Sequence, residues 1–146
     1  MEAKELMIGD WVRIDEPDKY AGATGQIQSL MYHREGDSAY FHVFIQGKFG
    51  YVLRDVCSDD IRPITLTAEI LEKNGFKPLE EGSYVCKELS GIDDYRIVVD
   101  LLVPYLSYIE KNKMPKSRYS GEVKYVHQLQ HALRLCGINK KIKLEE

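Results

Sequence analysis

In the stretch "VHQLQHAL", residues 126–133, His127 and His131 stand four positions apart. On a helix such residues share a face, and both imidazoles can reach one Zn²⁺. The spacing is one letter from H-E-x-x-H, the pattern of zinc hydrolases. There the glutamate takes the proton of zinc-bound water. Here that position is Gln128, and an amide accepts no proton. Zinc also needs a third protein ligand. His33, His42, Cys57 and Cys86 are the residues that folding could bring to it. Arg134 lies on the same flank and makes it cationic, which opposes a divalent ion. The pair therefore reads first as the polar flank of a packing helix. A metal-dependent hydrolase built on His127 and His131 is the alternative.

The element that must position this pair is a helix from Glu122 to Leu135, begun by Ser120 or Gly121 and stopped by Gly137. Its apolar stripe is Val126, Leu129, Leu133 and Cys136. Before it, "KNKMPKSRYSG" reads as a polar, basic loop. Further upstream, Thr67 is an N-cap, Ala68 to Asn74 a short helix with Ile70 and Leu71 inward, and Gly75 its stop. "YVCKEL" (84–89) reads as a strand and "SGIDD" as a turn. "YRIVVDLLVPYLSYIE" reads as two strands broken at Pro104, because Tyr, Val and Ile predominate. Residues 64–146 thus read as a small helix–strands–helix unit, small enough to lean on the preceding part for some of its core.

Residues 1–63 read as short strands joined by turns. "DWVRI" alternates, with Trp11 and Arg13 on one side and Val12 and Ile14 on the other. "EPDKYAGATG" carries turn chemistry. "QIQSLMY" alternates again, with Ile27, Leu30 and Tyr32 apolar, "HREGDS" reads as a hairpin tip around Gly36, and "AYFHVFI" is rich in strand formers. After it, Gln46-Gly47 turns into "KFGYVL". The order "IGDWVRI", turn, "GATGQIQSL", then "YFHVFI" resembles the KOW-type and other SH3-like barrels. In those families Gly-Asp opens the first strand and a G-x-x-G turn feeds the second. Gly22 and Gly25 would supply the positive φ or close backbone approach of a barrel corner. The fold class expected is α+β, an SH3-like small β-barrel over 1–63 followed by the α+β unit. KOW-type barrels often bind RNA or proteins. This one carries Asp10, Asp15, Glu16, Asp18, Glu35, Asp37, Asp55, Asp59 and Asp60, which would repel a phosphate backbone. Trp11, Tyr20, Tyr32 and Tyr40 either form an aromatic binding groove or fill the core and its rim.

Charge is uneven along the chain. The formal net charge is −3, and the first 110 residues are acidic. From 111 to 143 the sign flips: Lys111, Lys113, Lys116, Arg118, Lys124, Arg134, Lys140, Lys141 and Lys143 face only Glu122. Such a block is a solvated face, or a surface for nucleic acid or an acidic partner. Tyr119 and Tyr125 could then stack on bases. Alternatively His131 and Arg134 pair with acids of the barrel. Cys57, Cys86 and Cys136 are odd in number and form no C-x-x-C pair, so neither a disulfide framework nor a zinc ribbon is expected. No apolar run approaches the ~20 residues of a membrane span, and "MEAKELMIGDW" lacks the features of a signal peptide. A soluble, cytoplasmic protein that engages no membrane is expected.

The segments "LTAEILEKNGF" and "YVHQLQHALRLCGI" resemble segments that recur, in this order, in uncharacterised proteins of Bacteroides-type bacteria and their prophages. The resemblance implies a cytoplasmic, mobile-element protein and brings no activity and no catalytic residues. The nucleophile elbow, the P-loop and the dinucleotide-binding glycines have no counterpart in this sequence. A Cys–His dyad of Cys57 or Cys86 with His42 stays open. The expected role is a non-enzymatic accessory or adaptor without a cofactor, binding a macromolecule, protein before nucleic acid. Its candidate contacts are Trp11, Tyr20, Tyr32, Tyr40, Lys113, Lys116, Arg118, Lys124 and Arg134. A nucleic-acid binder using the 111–143 stretch is the remaining alternative.

Overall fold

The computed structural model describes residues 5–15, 20–32, 39–47, 50–86, 95–110, 117–135 and 138–144; for 30–32, 46–47, 50–51, 95–96, 105–110 and 117–120 it describes the backbone. The chain divides into two compact units, Met1–Ile64 and Thr65–Glu146. Both are dominated by antiparallel strands, with two short helices in the second. Among the described residues no helix is long and apolar enough to cross a membrane.

The first unit is one curled, five-stranded antiparallel half-barrel. Its strands are β1 (Trp11–Ile14), β2 (Thr24–Tyr32), β3 (Ala39–Gly47), β4 (Gly50–Cys57) and β5 (Ile61–Arg62). They lie in the order β4-β3-β2-β1-β5. The expected alternation holds in β1, where Val12 and Ile14 are buried and Arg13 is exposed. It holds in β3, where Ala39, Phe41, Val43 and Ile45 are buried. β2 breaks phase. Its register to β3 jumps between Ile27 and Ser29, a β-bulge at Gln28. Ile27 therefore pairs with Val43 while Leu30 pairs with Phe41 and Tyr32 with Ala39. All three partners are buried, so the odd spacing of Ile27 and Leu30 in the sequence matches the bulge. A 3₁₀ turn, Ser58–Asp60, carries the chain from β4 to β5. There Ile61, fully buried, pairs with Ile14.

Two glycines shape the β1–β2 corner for different reasons. Gly22 has φ +80° and no neighbour within 4 Å of an added Cβ. Gly25 is buried where β2 passes close to β3: a Cβ there would lie 2.6 Å from Val43 Cγ1 and 3.0 Å from the Phe44 carbonyl oxygen. One position needs the backbone freedom of glycine and the other its lack of a side chain.

In the second unit, α1 (Ala68–Lys73) starts and stops as its sequence predicts. Thr67 Oγ1 accepts the Ile70 N–H at 3.3 Å. Gly75 has φ +85°, and the Gly75→Glu72 and Phe76→Leu71 backbone bonds, both 3.0 Å, complete a Schellman motif. Its hydrophobic contact residues, Leu71 and Phe76, are buried; Ile70 is half-buried. A five-stranded meander follows, in the order β10-β9-β8-β7-β6. It comprises β6 (Lys77–Glu80), β7 (Ser83–Cys86), β8 (Tyr95–Asp100), β9 (Tyr105–Glu110) and β10 (Ser117–Glu122). The strands on either side of Pro104 are present, and Asp100 Oδ1 holds their turn by accepting the Leu102 and Val103 N–H groups at 2.9 and 3.2 Å. The edge strand β6 is exposed throughout and carries Lys77 and Pro78, residues that discourage edge pairing.

Two expectations fail here. Residues 117–121 are not loop but belong, with Glu122, to strand β10, paired with β9 from Ser117↔Ile109 to Glu122↔Tyr105. The last helix, α2 (Val126–Leu135), begins four residues later than Glu122. Ser120 and Gly121 belong to β10, where their pairing with Ser107 and Leu106 wins over their capping propensity. The tip around Gly36, the turn at 48–49, residues 87–94, the basic run 111–116 and the stop at Cys136–Gly137 lie outside the described residues.

Gly25→Ala is expected to lower the urea midpoint by an amount equivalent to about 1–3 kcal/mol, because stiff Val43 and a backbone carbonyl must both yield. Gly22→Ala is expected to cost about 1–2 kcal/mol through φ alone. Equilibrium unfolding of both variants, with a Val43→Ala background that rescues only Gly25→Ala, checks the assignment.

Candidate functional site

The imidazole pair sits at the start of α2, and its surroundings follow from how that helix begins. Gln128 is the third residue of α2. Its Oε1 accepts the N–H groups of Lys124 at 2.8 Å and Tyr125 at 3.0 Å. This is the back-reaching half of a capping box, which satisfies donors that a helix start leaves orphaned. The entry is fixed further by the Leu66 N–H donating to the Lys124 carbonyl at 2.9 Å and by a Thr65–Tyr125 bridge. The residue that stands where H-E-x-x-H has its base is thus engaged at the helix terminus.

With the start at Val126, the buried face of α2 takes in Val126, His127, Leu129, Gln130, Ala132 and Leu133. His127 is 5% exposed, deeper than the half-buried flank position the sequence predicts. His131 is half-buried and Arg134 is exposed. The rings form an aromatic ladder. Tyr125 and His127 stack at 5.8 Å between centroids with planes 10° apart. His127 and His131 meet edge-to-face at 5.7 Å and 73°. Lys124 Nζ lies 5.4 Å from the Tyr125 centroid, in cation–π range. Offset stacking and edge-to-face contact are the favoured aromatic geometries, so the imidazoles contribute packing area. Among the described residues no three His, Cys, Asp or Glu side chains gather in a group able to hold a metal ion.

The other candidate residues fall on the first unit. Trp11 pairs with Gln26, Gln26 with Phe44 and Phe44 with Leu53. Directly opposed residues share a face, so these four form one row across β1, β2, β3 and β4, on the face turned away from the core. At ~4.8 Å per strand the row spans about 14 Å. Phe44 is 36% exposed and Leu53 57%; Trp11 is half-buried. The same face carries His42, whose Nδ1 is 2.8 Å from Asp55 Oδ1, and Tyr40, which pairs with Cys57. That cross-strand contact holds His42 toward a carboxylate. Cys57 and Cys86 are free thiols, and Cys86 is buried.

Trp11 and Tyr40 therefore share a face, whereas Tyr20 packs against the core cluster of Val12, Ile14 and their neighbours. Arg54 lies over the Tyr20 ring at 4.9 Å. Tyr32 is placed by register alone, opposite Ala39, and Arg118 lies in β10. Lys124 is exposed before α2 and Arg134 in its last turn, where a cation meets the negative helix end. Lys113 and Lys116 lie outside the described residues. Sequence reasoning missed Phe44 and Leu53. The available signal was that "AYFHVFI" is aromatic at both parities, Tyr40 and Phe44 on one and Phe41 on the other, more than a single buried face requires. No family model matches the chain, no curated protein is significantly similar to it, and no solved structure matches it.

Gln128→Ala is expected to fray the first turn of α2 and cost about 0.5–2 kcal/mol. Gln128→Glu, which completes H-E-x-x-H, keeps the acceptor and adds a favourable charge at the helix start. It is expected to match or exceed the parent in thermal unfolding, without gaining zinc-dependent hydrolysis of ester or peptide substrates. Melting temperatures before and after exhaustive chelation, compared for both variants and the parent, are expected to be unchanged by chelation.

Proposed function

We propose that this chain is a non-enzymatic adaptor that binds a protein partner through the outer face of its first sheet, and that its first unit is an SH3-like barrel of the KOW type. The barrel reading is supported by the meander order with β5 returning to β1, the 3₁₀ turn between β4 and β5, and the glycine corner at Gly22 and Gly25. The binding reading rests on one observation, the row Trp11–Gln26–Phe44–Leu53. It places apolar side chains on a face that the fold does not need to bury. A sheet-borne aromatic and aliphatic row on the outer side of the curled sheet suits the central anchors of a protein interface.

Charge favours protein over nucleic acid. Asp55 stands on the same face, and Asp15 and Asp59 are exposed in the same unit. Fixed carboxylates oppose the approach of phosphates. Membership in the prophage-associated group suggested by "LTAEILEKNGF" and "YVHQLQHALRLCGI", and with it a cytoplasmic location, belongs to the same proposal. The neighbouring genes bear on it directly.

A photo-crosslinking residue placed at Leu53 is expected to yield a discrete, nuclease-resistant protein adduct in the native host, and one placed at exposed Lys77 is not. Phe44→Glu combined with Leu53→Glu is expected to weaken the captured partner at least about tenfold with unchanged thermal unfolding. No adduct at Leu53, together with heparin retention that falls steeply with salt and is abolished by Lys113→Glu plus Lys116→Glu, would replace this reading with nucleic-acid binding.

A further inference from the structure

The described residues after α2, 138–144, form neither helix nor strand. Ile138 closes the helix, its N–H donating to the Leu133 carbonyl at 2.9 Å. Residues 139–144 then run on with no regular secondary structure. Asn139, Lys141 and Lys143 are exposed, Lys140 and Leu144 half-buried, and Ile142 alone is buried, at 2%. What meets this segment is the end of α1. Asn74, 4% exposed, is the residue at its C-cap. Its Nδ2 donates to the Ile70 carbonyl at 2.8 Å and to the Lys143 carbonyl at 2.8 Å, while its Oδ1 accepts the Lys143 N–H at 2.8 Å. The ammonium of Lys140 lies 3.6 Å from where a Cβ on Gly75 would stand.

This is the chemistry of peptide recognition. A side-chain amide that offers one N–H and one C=O to a single residue imitates a neighbouring strand, and it reads main chain whatever the side chain. The bond to Ile70 uses the other N–H of Asn74 and fixes which way the amide faces. The α1 terminus is already closed by its own Schellman bonds, so the pairing with residue 143 is additional to what the helix end requires. One apolar site receives the residue just before the paired one. The lysines between stay at the surface. The order of contacts is thus Lys140 at Gly75, Ile142 buried, and the backbone of Lys143 on Asn74.

We infer that residues 139–144 are a detachable plug: this segment occupies, in cis, a site on the second unit that binds peptides carrying a β-branched residue immediately before the one whose backbone pairs with Asn74. This goes beyond the adaptor reading and does not rest on it. Tethering gives the plug a high effective concentration, so a free peptide competes poorly until the plug is weakened.

The test uses the full chain and a fluorescein-labelled peptide with the sequence of residues 138–144, followed by anisotropy. Ile142→Ser combined with Lys143→Pro removes the buried side chain and the N–H given to Asn74. This double variant is expected to bind the peptide at least about tenfold more tightly than the parent chain. The same peptide N-methylated at the Lys143 position, and a peptide with serine at the Ile142 position, are each expected to lose that gain; neither depends on how an Asn74 variant folds. Amide exchange of Leu71 and Leu129 in the double variant is expected to stay protected. Loss of that protection would make the segment part of the folding core and overturn the inference. A protected, folded double variant that does not bind the peptide would overturn it equally.

Discussion

The side-chain amide of Gln128, accepting the N–H groups of Lys124 and Tyr125, decides where α2 begins, and the phase of α2 decides what its imidazoles can do. A helix beginning at Glu122 would take in Glu122, which instead pairs with Tyr105 of β9. Beginning at Val126, it buries His127 against the Tyr125 ring and leaves His131 at the margin. A glutamate in place of Gln128 would also reach back to the helix start. The near-miss to H-E-x-x-H is therefore explained by local capping physics, which selects a long-chain acceptor at that position whether or not a metal is involved.

The features legible in the sequence are those decided within a few residues. The alternation of Trp11–Ile14 and of Ala39–Ile45 is local, as are the Thr67 cap and the Gly75 stop, and each has its expected geometry. The features that escaped are decided by distant partners. "SRYSGE" is polar and unpatterned, and it is a strand because β9 offers it a ladder. Nothing in its composition carries that information. Ser120 and Gly121 look like a helix start for the reason they look so anywhere, yet a residue inside the helix supplies the cap. The bulge at Gln28 lies between these cases. The segment reads as plain alternation although Ile27 and Leu30 stand three apart, and only the register with β3 reveals the bulge that sets Ile27 opposite Val43 and Leu30 opposite Phe41. At the candidate site, the same logic separates Trp11 from Tyr20: strand parity places the first, while the second depends on the chain that leads into β2.

Two amides, Gln128 and Asn74, do related work in the second unit. Each sits at a helix end, and each gives its side chain to the main chain of a segment outside that helix. Helix ends are where backbone groups lack partners, and an amide can donate and accept from two separate atoms without charge. The difference lies in what is held. Gln128 closes a gap of three or four residues, so its bonds are local and form with the helix. Asn74 reaches residue 143, which is 69 positions away. Holding a distant segment requires that segment to be ordered against its chain entropy, and one buried isoleucine with two hydrogen bonds opposes the freedom of six residues.

That imbalance changes how the basic C-terminal charge is understood. In the sequence, Lys140, Lys141 and Lys143 belong to a block that suggests a surface for an anionic partner. In the structure they lie beside Ile142, which is buried, and on the proposed release they would keep the segment that carries it solvated. Lysine is suited to this, because its long stem can lie along apolar surface while its ammonium stays in water. A more apolar tail would be held more firmly but would expose a sticky segment on release. A wholly polar one would not be held at all. One β-branched residue set between lysines gives a contact fixed in register by Asn74, of the limited strength that the proposed exchange requires.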